Sequence, residues 1–199
     1  MPVLESVKKN VRCFFVRYAT GWVLMITFLG LAIGVNVRAQ ESLPREYQIK
    51  AVFLYNFTQF VQWPAKAFPE ENSPIVIGIL GDDPFGAFID ETIQGEVVED
   101  HPLVVERYAS VDDIRDCHIL FISLADKQEI RRAVESVRFK PSLTVSDNDG
   151  FTRLDGMIRF YNEAGRIKLR INVQATSQSN LTISSKLLRL AEIVPQQKN

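Results

Sequence analysis

The chain is poor in the residues that build common active sites. Among its 199 residues there are two cysteines and two histidines, so a histidine-rich metal site is not available. The signatures G-x-S-x-G and H-E-x-x-H do not occur in it. No set of nucleophile, base and orienting group stands out, and the sequence predicts no catalytic residue, no metal and no cofactor.

An excess of positive charge is missing as well. Five of the 23 Lys and Arg residues, but only one of the 24 acidic residues, fall within positions 1–39, so the rest of the chain is net acidic. A net acidic domain without a basic run is a poor nucleic-acid binder, and no nucleic-acid partner is predicted. With 46% hydrophobic and 24% charged residues, the composition is that of a globular protein.

A long apolar run occurs only near the start. A basic segment, 8–17, precedes "GWVLMITFLGLAIGV" at 21–35, and "VRAQ" then places small side chains at the positions of a signal-peptidase site. This order predicts a signal peptide over 1–39, cleaved after Ala39, and a periplasmic domain over 40–199. The alternative is an uncleaved membrane anchor, although the run is shorter than the roughly 20 residues that span a bilayer.

Cleavage would leave Cys117 as the lone cysteine. It begins "CHILFIS", a buried-strand pattern, and free cysteine is among the most buried residue types. Burial is therefore the favoured interpretation, with a reactive thiol or a pair between two chains as alternatives. Cys117 and His118 are adjacent on a predicted strand, which would point them to opposite faces and exclude a simple thiolate–imidazole pair.

The remaining segments alternate between strand and helix patterns. Strands are predicted at 74–80, 102–109, 117–123 and 142–147, and helices at 45–62, 83–94, 125–139 and 184–194. A period of two over 157–173 indicates an antiparallel hairpin with one wet face. The pattern predicts one α/β domain, with a mainly parallel sheet, helices on both faces and an antiparallel C-terminal hairpin at one edge.

The predicted helix 45–62 is apolar nearly all round, which indicates burial on two sides. One face, with Ile49, Phe53, Phe57 and Phe60, is expected to pack on the sheet. Leu54, Tyr55 and Val61 are expected to point elsewhere, and Leu54 and Tyr55 are candidate partner-binding residues. The alternative is that this second face is covered by the C-terminal helix 184–194.

The stretch "GILGDDPFG", 78–86, has two glycines at the spacing of a P-loop. A P-loop continues with Gly-Lys-Ser/Thr, whereas Gly86 is followed by Ala-Phe, and two carboxylates stand where a phosphate would bind. Nucleotide binding is therefore rejected. Asp83 is predicted to cap the helix 83–94, and Gly81 to allow the tight turn. "DNDG" at 147–150 is interpreted as a turn rather than a calcium loop.

Polar residues near the carboxyl ends of the predicted strands form the candidate ligand site, because open α/β sheets bind ligands there. These residues are Asp82, Asp83, Ser123, Ser146 and Asp147. The site gives a second hypothesis beside partner binding, that of a periplasmic sensor domain for a small ligand.

Seven stretches together resemble the YfiR family of periplasmic proteins and cover nearly all of 40–199. They are "YQIKAVFLYNFTQFVQWP", "IVIGILGDDPFG", "CHILFIS", "LTVSDNDGF", "GMIRF", "RIKLRINV" and "ISSKLLRLAEIV". The resemblance implies a Rossmann-like domain that regulates by binding and is not an enzyme.

The resemblance also implies partners. The family's namesake represses a membrane-bound diguanylate cyclase by contacting its periplasmic part, and an outer-membrane lipoprotein relieves that repression. A sensor kinase with a periplasmic domain is a further candidate partner, and a homodimer is expected. The namesake carries disulfides, whereas Cys117 has no cysteine partner within 40–199, so redox control through an intramolecular disulfide is not expected here.

The signal-peptide prediction is tested by intact-mass analysis of the protein from the periplasmic fraction. We expect an N-terminus at Gln40. A membrane-associated form that begins at Met1 or Pro2 would favour the anchor.

Overall fold

The central sheet is built from the hydrophobic segments that the sequence marks as strands. The computed structural model describes residues 45–195. In chain order these form α1 (Arg45–Phe60), β1 (Val61–Gln62), β2 (Ile75–Gly81), α2 (Ala87–Ile93), β3 (Val97–Val98), β4 (His101–Tyr108), β5 (Ile119–Ser123), α3 (Lys127–Ser136), β6 (Leu143–Ser146), β7 (Ile158–Glu163), β8 (Arg166–Ile171), α4 (Val173–Gln178), β9 (Thr182–Ile183), α5 (Ser185–Leu188) and β10 (Ala191–Ile193). The predicted signal peptide lies outside the described residues.

Eight strands pair in the order β10-β8-β7-β6-β5-β2-β4-β3. The run β4-β2-β5-β6-β7 is parallel, β8 returns antiparallel to β7, and β3 is antiparallel to β4. The predicted mainly parallel α/β sheet with an antiparallel hairpin is confirmed. β1 and β9 form a separate antiparallel pair.

Two hydrophobic cores lie on opposite faces of the sheet. Because side chains alternate along a strand, Ile77 and Ile79 of β2 pack in the core that α1 and α2 cover. Leu80 of the same strand packs in the second core, which Ile130 and Val134 of α3 cover. The buried side of α3 is thus its apolar side.

The hairpin β7-β8 turns at two residues with positive φ, Ala164 (52°) and Gly165 (77°). A two-residue turn with positive φ at both positions has a backbone twist that matches the twist of the flanking strands. The resulting register pairs the buried Phe160 with Leu169, and places Tyr161 opposite Lys168.

The predicted boundaries of all four helices differ from the structure. The helix predicted over 125–139 is the shorter α3, Lys127–Ser136. The helix predicted over 83–94 begins only at Ala87, because Gly86 has φ 54° and breaks the helical path before it. The helix 45–62 ends at Phe60, and its last two residues pair with β9 as β1. The C-terminal helix 184–194 is one short helix followed by β10, which pairs parallel to β8 and satisfies an otherwise open sheet edge.

Gly81 ends β2 in a conformation that other residues strain to adopt. Its φ is 88°, and an added Cβ would lie 2.4 Å from the Ser123 carbonyl oxygen on the neighbouring strand. Gly95 has a similar φ of 75°, but nothing lies within 4 Å of its added Cβ.

We expect Gly81→Ala to lower the free energy of unfolding more than Gly95→Ala in urea denaturation. Both variants carry the backbone strain of about 1 kcal/mol, but only Gly81→Ala adds a clash with backbone, which costs roughly a further 2 kcal/mol. Equal losses for the two variants would contradict this.

Candidate functional site

Two side chains of α1 lie at the carboxyl end of β6, against Asp147. Lys50 is only 2% exposed, and its Nζ lies 2.6 Å from Asp147 Oδ2 and 2.6 Å from Glu46 Oε1. The Tyr47 hydroxyl donates to the same Asp147 oxygen at 3.1 Å. Burial opposes the ammonium charge, but the hydrogen bonds to Asp147 and Glu46 outweigh it and raise the pKa of Lys50. The predicted ligand residue Asp147 thus binds the protein's own lysine.

The glycine loop after β2 is likewise occupied by an internal anion. Asp83 Oδ1 accepts hydrogen bonds from the backbone N–H groups of Phe85 (2.7 Å) and Gly86 (3.2 Å). Asp83 Oδ2 binds Arg107 Nε at 2.7 Å. Asp83 therefore caps the turn before α2 rather than α2 itself, and it takes the backbone donors that a phosphate would need.

The other predicted strand-end residues do not converge on a ligand position. Ser146 is fully buried and donates to the Ile122 carbonyl at 2.7 Å, which ties β6 to β5. Ser123 is half-buried at the end of β5, level with Gly81. Asp82 is exposed. The structure thus brings these strands together as expected, but uses three of the five predicted polar residues for internal bonds.

The predicted orientation of α1 is right for Phe57, which is fully buried, and wrong for Leu54 and Ile49. Leu54 is fully buried and Ile49 is 38% exposed, the reverse of the expectation. The inward face is that of Lys50, Leu54 and Phe57, because the bond from Lys50 to Asp147 fixes the rotation of the helix. Leu54 therefore belongs to the core and is not available to a partner.

The outward face of α1 is apolar. Ile49 is 38% and Val52 is 43% exposed, and with the half-buried Phe53 and Phe88 they line a shallow depression of about 350 Å³, together with Arg45, Gln48 and Asn56. We call these seven residues the α1 surface. Phe53 is held by ring contacts with Phe57 (6.2 Å between centroids) and Phe160 (5.8 Å), so the surface rests on the core.

Tyr55, the other predicted partner residue on α1, is half-buried. Its hydroxyl donates to Glu96 at 2.6 Å, and this hydrogen bond raises the pKa of Tyr55. Tyr55 lies outside the α1 surface.

Cys117 and His118 lie just before β5 at the opposite, amino-terminal edge of the sheet. Cys117 is buried, as predicted, and burial raises the pKa of its thiol to about 11. The His118 ring stacks on Phe68 at 4.7 Å, and its Nδ1 accepts a hydrogen bond from the Val76 N–H at 3.0 Å. Burial lowers the pKa of His118 to about 4, so the ring is neutral at pH 7 with its proton on Nε2.

The sequence analysis did not identify Lys50 as a buried residue that binds Asp147. The one local signal is Glu46 four residues before it, an i, i+4 ion pair typical of an exposed helix face. Within residues 45–195, no cluster of three or more His, Cys, Asp or Glu side chains is arranged to hold a metal ion. In the same range, no helix combines the length and apolarity needed to cross a membrane.

Comparison with known proteins identifies the family of the chain and a solved structure of similar fold. The model of the YfiR/HmsC-like family matches residues 47–192. No curated protein matches significantly. Among solved structures, a conserved domain protein from Vibrio cholerae O1 biovar El Tor is similar, with a TM-score of 0.50 and 10% sequence identity. The match covers 75% of this chain and 60% of that one, and at this identity it shows the fold alone.

The fold and site define a mainly parallel α/β domain in which Asp83, Ser146 and Asp147, polar residues at the strand ends, bind groups of the chain itself. The chain belongs to the YfiR/HmsC-like family. At family level these proteins are periplasmic regulators of cyclic-di-GMP signalling that act with a membrane-bound partner, and they are regulators rather than enzymes.

We expect Asp147→Asn to lower the free energy of unfolding by about 2 kcal/mol, because it leaves a buried ammonium with a weaker partner. Asp112→Asn is the matched control, since Asp112 and its partner Arg132 are both exposed, and a surface ion pair contributes about 1 kcal/mol or less. Urea denaturation measures both. The double variant Lys50→Met/Asp147→Asn should be more stable than Asp147→Asn alone, and equal losses for the two single variants would contradict the role of Lys50.

We expect His118 to make stability fall in acid. Its pKa is about 4 in the folded protein and about 6.5 in an unfolded chain. The unfolded state therefore binds more protons between these values, and the stability that is present above pH 6.5 is lost as the pH falls towards 4.

From pH 7.5 to pH 5 this loss is about 2 kcal/mol. His118→Asn retains an acceptor for the Val76 N–H but does not titrate. Between pH 7.5 and pH 5, the free energy of unfolding of this variant should therefore fall by about 2 kcal/mol less than that of the wild type. Parallel pH curves for wild type and variant in urea denaturation would show that His118 titrates normally.

Proposed function

We propose that the protein is exported and controls a membrane-bound signalling enzyme of the diguanylate cyclase type through protein–protein contact at the α1 surface. The observation that carries the proposal is the pair Ile49 and Val52, 38% and 43% exposed on a helix whose other side is core. The family membership supports the class of partner.

The α1 surface has the composition of a contact site. Exposed aliphatic side chains surround two half-buried aromatic rings, Phe53 and Phe88, while Arg45 and Asn56 bring polar groups to the same depression. Interfaces combine an apolar centre with a polar rim, and aromatic anchors contribute much of their affinity. Contiguous exposed apolar groups of this kind are a common mark of an interaction site.

The same surface supports the proposed homodimer. A second copy that buries Ile49 and Val52 would compete with the membrane enzyme, so dimerisation and repression would be alternative uses of one surface. An outer-membrane lipoprotein that relieves repression would act by the same competition. Tyr55, which is tied to Glu96, is proposed to lie beside this contact rather than at its centre.

The experiment measures cellular cyclic-di-GMP in the native host after deletion of the gene. We expect the level to rise, because the enzyme loses its repressor. A plasmid with the wild-type gene should restore the level, and Val52→Asp should not, because a carboxylate in an apolar contact is costly to desolvate.

The matched control is Leu190→Asp, which places the same charge on a side chain that is 71% exposed and lies outside the α1 surface. It should restore the level fully. Both variants should melt near the wild-type temperature, since neither side chain is in the core. Full restoration by Val52→Asp, or no change of cyclic-di-GMP on deletion, would contradict the proposal.

A further inference from the structure

The amino-terminal edge of the sheet holds a cavity that the function proposed above does not use. Its volume is about 560 Å³, within the range of small-molecule sites. The segments that precede β2, β5 and β6 meet there with the end of α3 and with the loop at 66–69. We call it the amino-end cavity.

The floor of the cavity is buried and mostly apolar. It is formed by Val76, Cys117, His118, Val137 and Ser142, each less than a tenth exposed. Phe139, which is largely exposed, stands at the rim and extends the apolar lining outward. Such a floor favours a flat apolar body over a strongly hydrated ion.

The rim carries an excess of positive charge. Lys140 is paired with Asp116 at 2.9 Å. Lys66 and Arg115 also line the cavity, and among residues 45–195 no ion pair or hydrogen bond is found for their side chains. Two uncompensated cations beside an apolar floor attract an anion that also has apolar surface.

His118 closes part of the floor. Because Nδ1 accepts from the Val76 N–H, the neutral ring carries its proton on Nε2. Nε2 is shielded from solvent and lies against the Ala67 backbone, so the ring contributes surface to the floor rather than a donor to a ligand.

We propose that the amino-end cavity binds a small organic anion with a flat apolar body. The body lies on Val76 and Val137, and the anionic group faces Lys66 and Arg115 at the rim. The site is separate from the α1 surface, so the proposal is independent of contact with the membrane enzyme.

The test uses 8-anilinonaphthalene-1-sulfonate as a fluorescent probe on the folded protein, with naphthalene-2-carboxylate and the uncharged naphthalene-2-carboxamide as competitors. The two competitors share one apolar body and differ in charge. We expect the carboxylate to displace the probe about tenfold better than the carboxamide, because of its attraction to the two rim cations.

The double variant Lys66→Gln/Arg115→Gln should abolish the preference for the carboxylate. Lys186→Gln/Arg189→Gln removes the same charge from residues outside the cavity lining and should keep it. Val52→Asp should leave probe binding unchanged. Equal displacement by both competitors, an unchanged preference in Lys66→Gln/Arg115→Gln, or loss of the probe in Val52→Asp would overturn the proposal.

Discussion

The buried bond between Lys50 and Asp147 is the interaction on which the arrangement of surfaces depends. It joins residues 97 positions apart and sets α1 across the carboxyl ends of the strands. Because a buried ammonium needs a carboxylate partner, the helix rotates so that Lys50, Leu54 and Phe57 face the sheet. The same rotation turns Ile49 and Val52 outward. One ion pair thereby joins α1 to the end of β6, and the other side of α1 carries the surface that we propose for partner contact.

The two edges of the sheet consequently differ. At the carboxyl edge, Asp83 and Asp147 accept hydrogen bonds from the chain's own backbone and side chains. At the amino-terminal edge, the chain leaves a cavity with an apolar floor and unpaired rim cations. Lys50 binds Asp147 at the end of β6, and the surfaces that we propose for other molecules lie elsewhere, on α1 and in the amino-end cavity.

The sequence pattern was enough to predict the strands of the sheet, but it did not predict which side chains contact one another. Ile75–Gly81 and Ile119–Ser123 are β-branched and apolar enough to be strands in any context. By contrast, 184–194 has a helical period, yet Ala191–Ile193 pairs with β8, because an open sheet edge outweighs local propensity. The face of α1 was assigned wrongly because a lysine is expected outside, and its partner Asp147 is invisible to any local pattern.

The central claim is that the α1 surface contacts the membrane-bound signalling enzyme. Photo-crosslinking in the native host tests it most directly, with a benzophenone amino acid placed at Val52 or at Asp82, which is exposed at the carboxyl edge. The account predicts a crosslinked product with the enzyme's periplasmic part from position 52 and none from position 82. A product from position 82 without one from position 52 would contradict it.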